Sequence, residues 1–211
     1  MLSIKEYQAY CDELAQNHAE FQQIIEAHGY PHYQTRPADF TTLLRLIIEQ
    51  QVSLSSAKAC FDKLAKISPI NPNAMLLLTD EALRSVGLSR QKTVYIRALS
   101  NAILDGSLDL EALKHQNETE VRTQLTAIKG IGNWTTEVFL LECLHHLDIF
   151  PIGDVALRNA MKKSLNLPKE TTHDELLAIA ERYRPLRSIA TFIFWHEYVS
   201  SKNIDLVKLL Q

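Results

Sequence analysis

Thr126-Ala127-Ile128-Lys129-Gly130-Ile131-Gly132-Asn133-Trp134-Thr135-Thr136 is the stretch on which the reading of this chain turns. Two glycines bracket one apolar residue, and helix-forming sequence lies on both sides. Gly130 can take a positive φ and end the first helix, while Gly132, without a Cβ, lets the backbone come close to another object. Ile131 would pack back and hold the two helices at a fixed angle. The first N–H groups of the second helix lack intrahelical acceptors and make a ready seat for a phosphate. A plain αα-turn, whose glycines serve only the chain reversal, fits so short a motif equally well.

Working outward, caps and 3.6-residue periodicity predict helices on both sides of the hairpin. One is expected over 4–27, others over 38–49, 53–66 and 73–85, the last broken at Thr79 and closed by Val86-Gly87-Leu88. Ser89 caps a helix over 90–104, Asn117 one over 118–127, and Asn133 one over 134–147. A further helix covers 155–165, and Thr172-x-x-Glu175 is a capping box opening one that reaches Arg184. Pro185 suits the first turn of the next helix, through Tyr198, and Asn203 caps a short final one. No strand alternation and no fixed repeat competes with these. An all-α protein of about ten helices follows.

The hydrophobic share of 46% and the charged share of 22% are those of an ordinary soluble globular protein. No apolar run approaches the roughly 20 residues of a membrane span, so no membrane partner is expected. The amphipathic, acidic N-terminal stretch reads as neither signal nor transit peptide, and an intracellular location, cytoplasm or nucleoid (the nucleus in a eukaryote), is expected. Cys11, Cys60 and Cys143 are too widely spaced for a Cys-x-x-Cys site and read as reduced, packed thiols. The net charge of −3 at first counts against a nucleic-acid partner. Residues 1–30, however, set Glu6, Asp12, Glu13, Glu20 and Glu26 against Lys5 alone, so the rest of the chain is close to neutral.

The order of motifs resembles the 3-methyladenine DNA glycosylase II family. Leu125-x-x-Ile-Lys-Gly-Ile-Gly-Asn-Trp-Thr-Thr-Glu137 is followed by Phe150-Pro151-x-Gly153-Asp154. Ile47-Ile48-Glu49-Gln50-Gln51-Val52-Ser53, Val86-Gly87-Leu88-Ser89-x-x-Lys92 and Arg184-Pro185-Leu186-Arg187-Ser188-Ile189-Ala190 with Trp195 complete it. The resemblance implies two helical subdomains, 38–154 with the helix–hairpin–helix and 1–37 plus 155–211, with the active-site cleft between them. It implies a monofunctional DNA glycosylase that flips an alkylated purine out of damaged double-stranded DNA and hydrolyses its N-glycosidic bond. A monomer is the default expectation.

Asp154 precedes an apolar helix, where a carboxylate commonly serves only as the cap. An oriented carboxylate is also what an oxocarbenium-like transition state requires beside C1′, so the two roles are compatible. Asp148 is the rival; Asp154 is preferred because it stands at the family's catalytic position. Glycosylase/lyases of the superfamily carry a lysine two places after the second hairpin glycine, where it forms a Schiff base. This chain has Trp134 there, and no lyase activity is expected. Trp134 and Trp195 coincide with aromatic positions of the family's base pocket, where indole favours a cationic base. Each is otherwise an ordinary core residue at helical spacing.

Gln50 and Gln51 match the segment that enters the gap left by a flipped nucleotide, with Gln51 at the entering position; a polar loop pair is the alternative. Gly130, Ile131, Gly132 and Arg187 complete the expected DNA contacts, and the Arg187-Ser188 pair would also brace the pocket wall. The resemblance further implies a monovalent cation, sodium or potassium, at the backbone carbonyls of Thr126, Ile128 and Ile131, and no other cofactor. Arg158, Lys162, Lys163, Arg182, Arg184 and Arg187 form either a modest phosphate footprint or a solvated face. His145 and His146 lack a third ligand at metal spacing and read as helix C-terminal residues favoured by the dipole. A glycosylase for hypoxanthine, uracil or an oxidised base remains open, as does a non-catalytic DNA-binding module.

Overall fold

A computed structural model of the chain describes residues 2–204, and every regular element among them is helical. The chain divides into two compact units, which among the described residues are 2–35 with 140–204, and 36–139. We call the first the terminal unit and the second the hairpin unit.

The terminal unit begins with α1 (Ile4–Asn17) and α2 (Ala19–His28). Ser3 and Glu6 close a reciprocal capping box at the start of α1. The single helix expected over 4–27 is therefore two. His18 is extended at φ −139° and its ring packs edge-on against Phe21 and Tyr183, with centroids 5.9 and 5.0 Å apart. No glycine or proline marks the break, because a tertiary aromatic contact makes it.

The hairpin unit runs through α3 (Phe40–Glu49), α4 (Leu54–Ile67), α5 (Pro72–Leu77), α6 (Asp80–Ser85) and α7 (Arg90–Leu104). Leu43, Leu44, Leu46, Ile47 and Ile48 of α3 are buried, making it the unit's central helix. The break at Thr79 is where the sequence puts it, with the Thr79 side chain accepting from Ala82 N–H. Gly87, at φ 103°, then closes α6 as Leu88 N–H returns to the Leu83 carbonyl at 3.2 Å. A one-turn helix the sequence reading missed, α8 (Leu110–Leu113), precedes α9 (Glu118–Thr126) and α10 (Asn133–Glu142).

The chain passes between units within α10, at Phe139/Leu140. The terminal unit then adds α11 (Val155–Ser164), α12 (His173–Ala180), a 3-10 turn at Glu181–Tyr183 and α13 (Arg187–Ser201). The expected boundary stood at 154 instead. Residues 147–149 belong with α13 because Ser188 N–H donates to the Leu147 carbonyl (2.9 Å) and Ile149 N–H to Ser188 Oγ (3.0 Å).

Three further expectations need correction. α10 ends at Glu142, not 147: His145 is left-handed at φ 57° and His146 N–H folds back to the Leu140 carbonyl. Both histidines thus lie in a loop, and burial pushes the His145 ring's pKa down, so it is no dipole-favoured cation. Asn133 is the first residue inside α10, since Thr136 N–H bonds the Gly132 carbonyl at 3.1 Å. Pro185 follows a cis peptide bond, and α13 starts two residues after it. The short helix expected after Asn203 lies outside the described residues.

Candidate active site

In the hairpin unit, Gly130 ends the first hairpin helix at φ 98°, and a Cβ there would run into the ring of Tyr95 from α7. Glycine is thus required twice at this position, by conformation and by space. Gly132 is exposed with open space around it, which leaves its backbone approachable. Ile131 is buried, and its N–H donates to the Ile128 carbonyl at 3.0 Å. That bond occupies one of the two lone pairs on the Ile128 oxygen. Trp134, the second residue of α10, is half-buried.

The glutamine pair divides. Gln50 turns inward: its Nε2 donates to the Gly130 carbonyl (2.8 Å) and to Thr135 Oγ1 (2.9 Å). Gln50, expected among the DNA contacts, thus braces the hairpin from within. Gln51 is exposed at φ 59° beside the exposed Val52. Beneath this turn Lys92 Nζ donates to the carbonyls of Ile48 (2.6 Å) and Gln50 (2.8 Å). The sequence does not show these bonds, because both acceptors of Lys92 are backbone atoms more than forty residues away.

In the terminal unit, Asp154 closes a tight turn in which its own N–H donates to the Pro151 carbonyl at 2.8 Å. Arg158 Nη1 pins the same turn through the Ile152 carbonyl (2.8 Å). The Asp154 carboxylate caps α11, accepting Leu157 N–H at 2.8 Å, and it accepts the indole N–H of Trp195 at 3.1 Å. Donors from two helices thus orient the carboxylate. The rival, Asp148, is clamped by Arg187 (Nε to Oδ1, 2.7 Å) and by Arg184. Two guanidiniums thus compensate its charge.

Arg187, expected among the DNA contacts and as a brace of the pocket wall, is engaged within the terminal unit. Its side chain is only 13% exposed and it bonds Asp148, the Asp148 carbonyl and Glu181. The rest of the expected basic group is engaged similarly: Arg182 with Glu20 (2.6 Å), Lys163 with Glu197 (2.6 Å) and Lys162 with the Lys169 carbonyl (2.6 Å). The partners of Arg182 and Lys163 come from distant segments, while that of Lys162 lies seven residues on.

A family model described as the HhH-GPD superfamily of base excision DNA repair proteins matches residues 44–185, which hold the hairpin and the capped aspartate together. The chain belongs to this superfamily. It is similar to DNA-3-methyladenine glycosylase 1 of Schizosaccharomyces pombe, 30% identical over 175 residues, covering 80% of this chain and 75% of that one. It is 27% identical over 181 residues to the YfjP protein of Bacillus subtilis, covering 82% of this chain and 63% of that relative, just under two thirds of its length. Among solved structures it resembles the 3-methyladenine DNA glycosylase Mag1 of S. pombe in complex with abasic DNA, with a TM-score of 0.77 and 26% identity. That likeness covers 87% of this chain and 91% of the Mag1 chain. For an HhH-GPD chain, the residues the sequence reading missed are Lys92, Tyr95 and Thr135. Each acts through backbone or packing in a way that residue type does not announce.

Proposed function

We propose that this HhH-GPD protein is a DNA glycosylase that removes alkylated purines of the 3-methyladenine type from double-stranded DNA by hydrolysis, with Asp154 as the catalytic carboxylate. The observation that carries the reading is the doubly anchored Asp154, oriented by the α11 N-terminus and by Trp195. An anion held beside C1′ stabilises the positive charge that develops as the glycosidic bond lengthens. The bond electrons leave with the base, water adds to C1′, and the proton that water loses passes to solvent or to the departing base. A methylated purine carries a positive charge and leaves readily, so the demand for a strong general acid is small.

The reaction stops at hydrolysis. Trp134 stands two residues after Gly132 where a lyase needs an amine to form a Schiff base. A half-buried indole supports selection of a cationic base by cation–π attraction. The hairpin would seat a phosphate on the first N–H groups of α10, beside the open Gly132. The carbonyls of Thr126, Ile128 and Ile131 are neutral oxygen donors of the kind that suits a sodium or potassium ion. Thr126 would offer only its backbone, because its hydroxyl donates to the Arg122 carbonyl at 2.7 Å. A cation held there would add positive charge at the phosphate seat.

The test is release of 3-methyladenine from methylated duplex DNA by wild type and by Asp154→Asn, scored for nicking with and without alkali. Asparagine is as good a helix cap as aspartate, so loss of activity in that variant is chemical and not a folding defect. Release by wild type alone, with nicks only after alkali, is the expected result. An inactive wild type overturns the alkylpurine assignment, and nicking without alkali overturns the hydrolytic one.

A further inference from the structure

The end of α3 is built unusually. A helix C-terminus leaves carbonyls without intrahelical donors, and a glycine in the left-handed region commonly follows to close it. Here the left-handed residue is Gln51 at φ 59°, a conformation unfavourable for a residue that carries a Cβ. Something outside the turn must hold it. Lys92 reaches from α7 to the carbonyls of Ile48 (2.6 Å) and Gln50 (2.8 Å). Gln50 in turn bonds the Gly130 carbonyl and Thr135 of the hairpin, while Tyr95, one turn along α7 from Lys92, covers Gly130. The ammonium thus ties the Gln51 turn and the hairpin into one piece, and its charge suits the negative end of the α3 dipole.

We propose that Lys92 is a positioning residue for Gln51: its two backbone hydrogen bonds hold the turn in the conformation that projects the Gln51 side chain, with Val52 beside it, into the gap left by a flipped nucleotide. The proposal rests on the glycosylase reading above. Burial holds the Lys92 ammonium below its ordinary lysine pKa, as expected for a group that has exchanged water for carbonyl oxygens. Gln51 and Val52 are exposed and would not hold the turn by their own packing.

The experiment uses the full chain and a duplex in which 2-aminopurine lies opposite a tetrahydrofuran abasic analogue, whose fluorescence reports entry of a side chain into the stack. Single-turnover release of 3-methyladenine is measured in parallel. Lys92→Met should lower the fluorescence response to that of Gln51→Ala and slow release by roughly tenfold to a hundredfold, the scale of an ångström-level misplacement. Lys92→Arg, which can still donate to both carbonyls, should restore most of the loss. The decisive comparison is the double variant. If Lys92 acts through Gln51, adding Lys92→Met to Gln51→Ala costs nothing further. Losses that multiply, or a folded Lys92→Met with wild-type response and rate, overturn the proposal alone. A wild type that neither responds to the duplex nor releases base overturns the glycosylase reading and this proposal with it. Should Lys92→Met not fold, Lys92→Gln carries the same comparisons.

Discussion

The indole Nε1 of Trp195 donates to Oδ1 of Asp154 at 3.1 Å, the same oxygen that accepts the Leu157 N–H at 2.8 Å. One carboxylate oxygen is thus held by α11 and α13 together, although the residues stand 41 apart. In the proposed glycosylase Trp195 would thus be a positioning residue for Asp154. A hydrogen bond to a charged group is worth about 1.5–3 kcal/mol. Trp195→Phe keeps a ring against Phe192 but removes the donor. Its single-turnover rate should fall roughly tenfold to a hundredfold, with abasic-duplex affinity nearly unchanged. A rate equal to wild type would show that the bond does not orient the carboxylate.

Asp148 and Asp154 are separated by a second variant. Asp148→Asn breaks the Arg187 and Arg184 pairs but touches no part of the Asp154 turn. Because Arg187 is largely buried, the loss should cost stability of about 1.5–3 kcal/mol in urea unfolding. The excision rate per folded molecule should persist. An inactive but fully stable Asp148→Asn would return the catalytic role to Asp148.

Gly130→Ala meets both the positive φ and the Tyr95 ring. Destabilisation of at least about 1 kcal/mol is expected from the backbone alone, and more from the clash. Tyr95→Ala in the same chain should relieve the contacts with the ring but neither the remaining contact with the Cβ of residue 95 nor the backbone cost, so recovery should be partial. Full recovery would mean that the left-handed conformation carries no cost here.

The hairpin helices are also joined through Arg122, which bonds Glu118 on its own helix and Glu137 on α10. Burial raises the Glu137 pKa above its ordinary 4.5, with Arg122 opposing and Glu118 adding to the rise. An acid that binds its proton more tightly when folded adds stability at low pH, and this is lost as pH rises from 4.5 through the raised folded value. Denaturant titrations should show wild type losing stability relative to Glu137→Gln across that window. A constant difference between the two would place the Glu137 pKa at its ordinary value.

What the sequence by itself determined is local. Thr79, Ser89, Asn117 and Thr172 start helices where they stand, because a cap bonds an N–H three residues on and needs nothing else. The hairpin was legible for the same reason: Gly130 and Gly132 act on their own backbone. The aspartate cap was legible too, and the motif order carried the family. Tertiary structure alone decided which of two adjacent glutamines faces inward, that His18 splits a helix, and that α10 stops at Glu142. It also decided that Arg187 is spent on Asp148, that Lys92 holds the Gln51 turn, and that Trp195 bonds Asp154. Each of these depends on a partner distant in sequence, brought close by burial of apolar faces that specify no polar pairing of their own. Sequence periodicity says which face is buried; only the packed chain says which donor meets which acceptor.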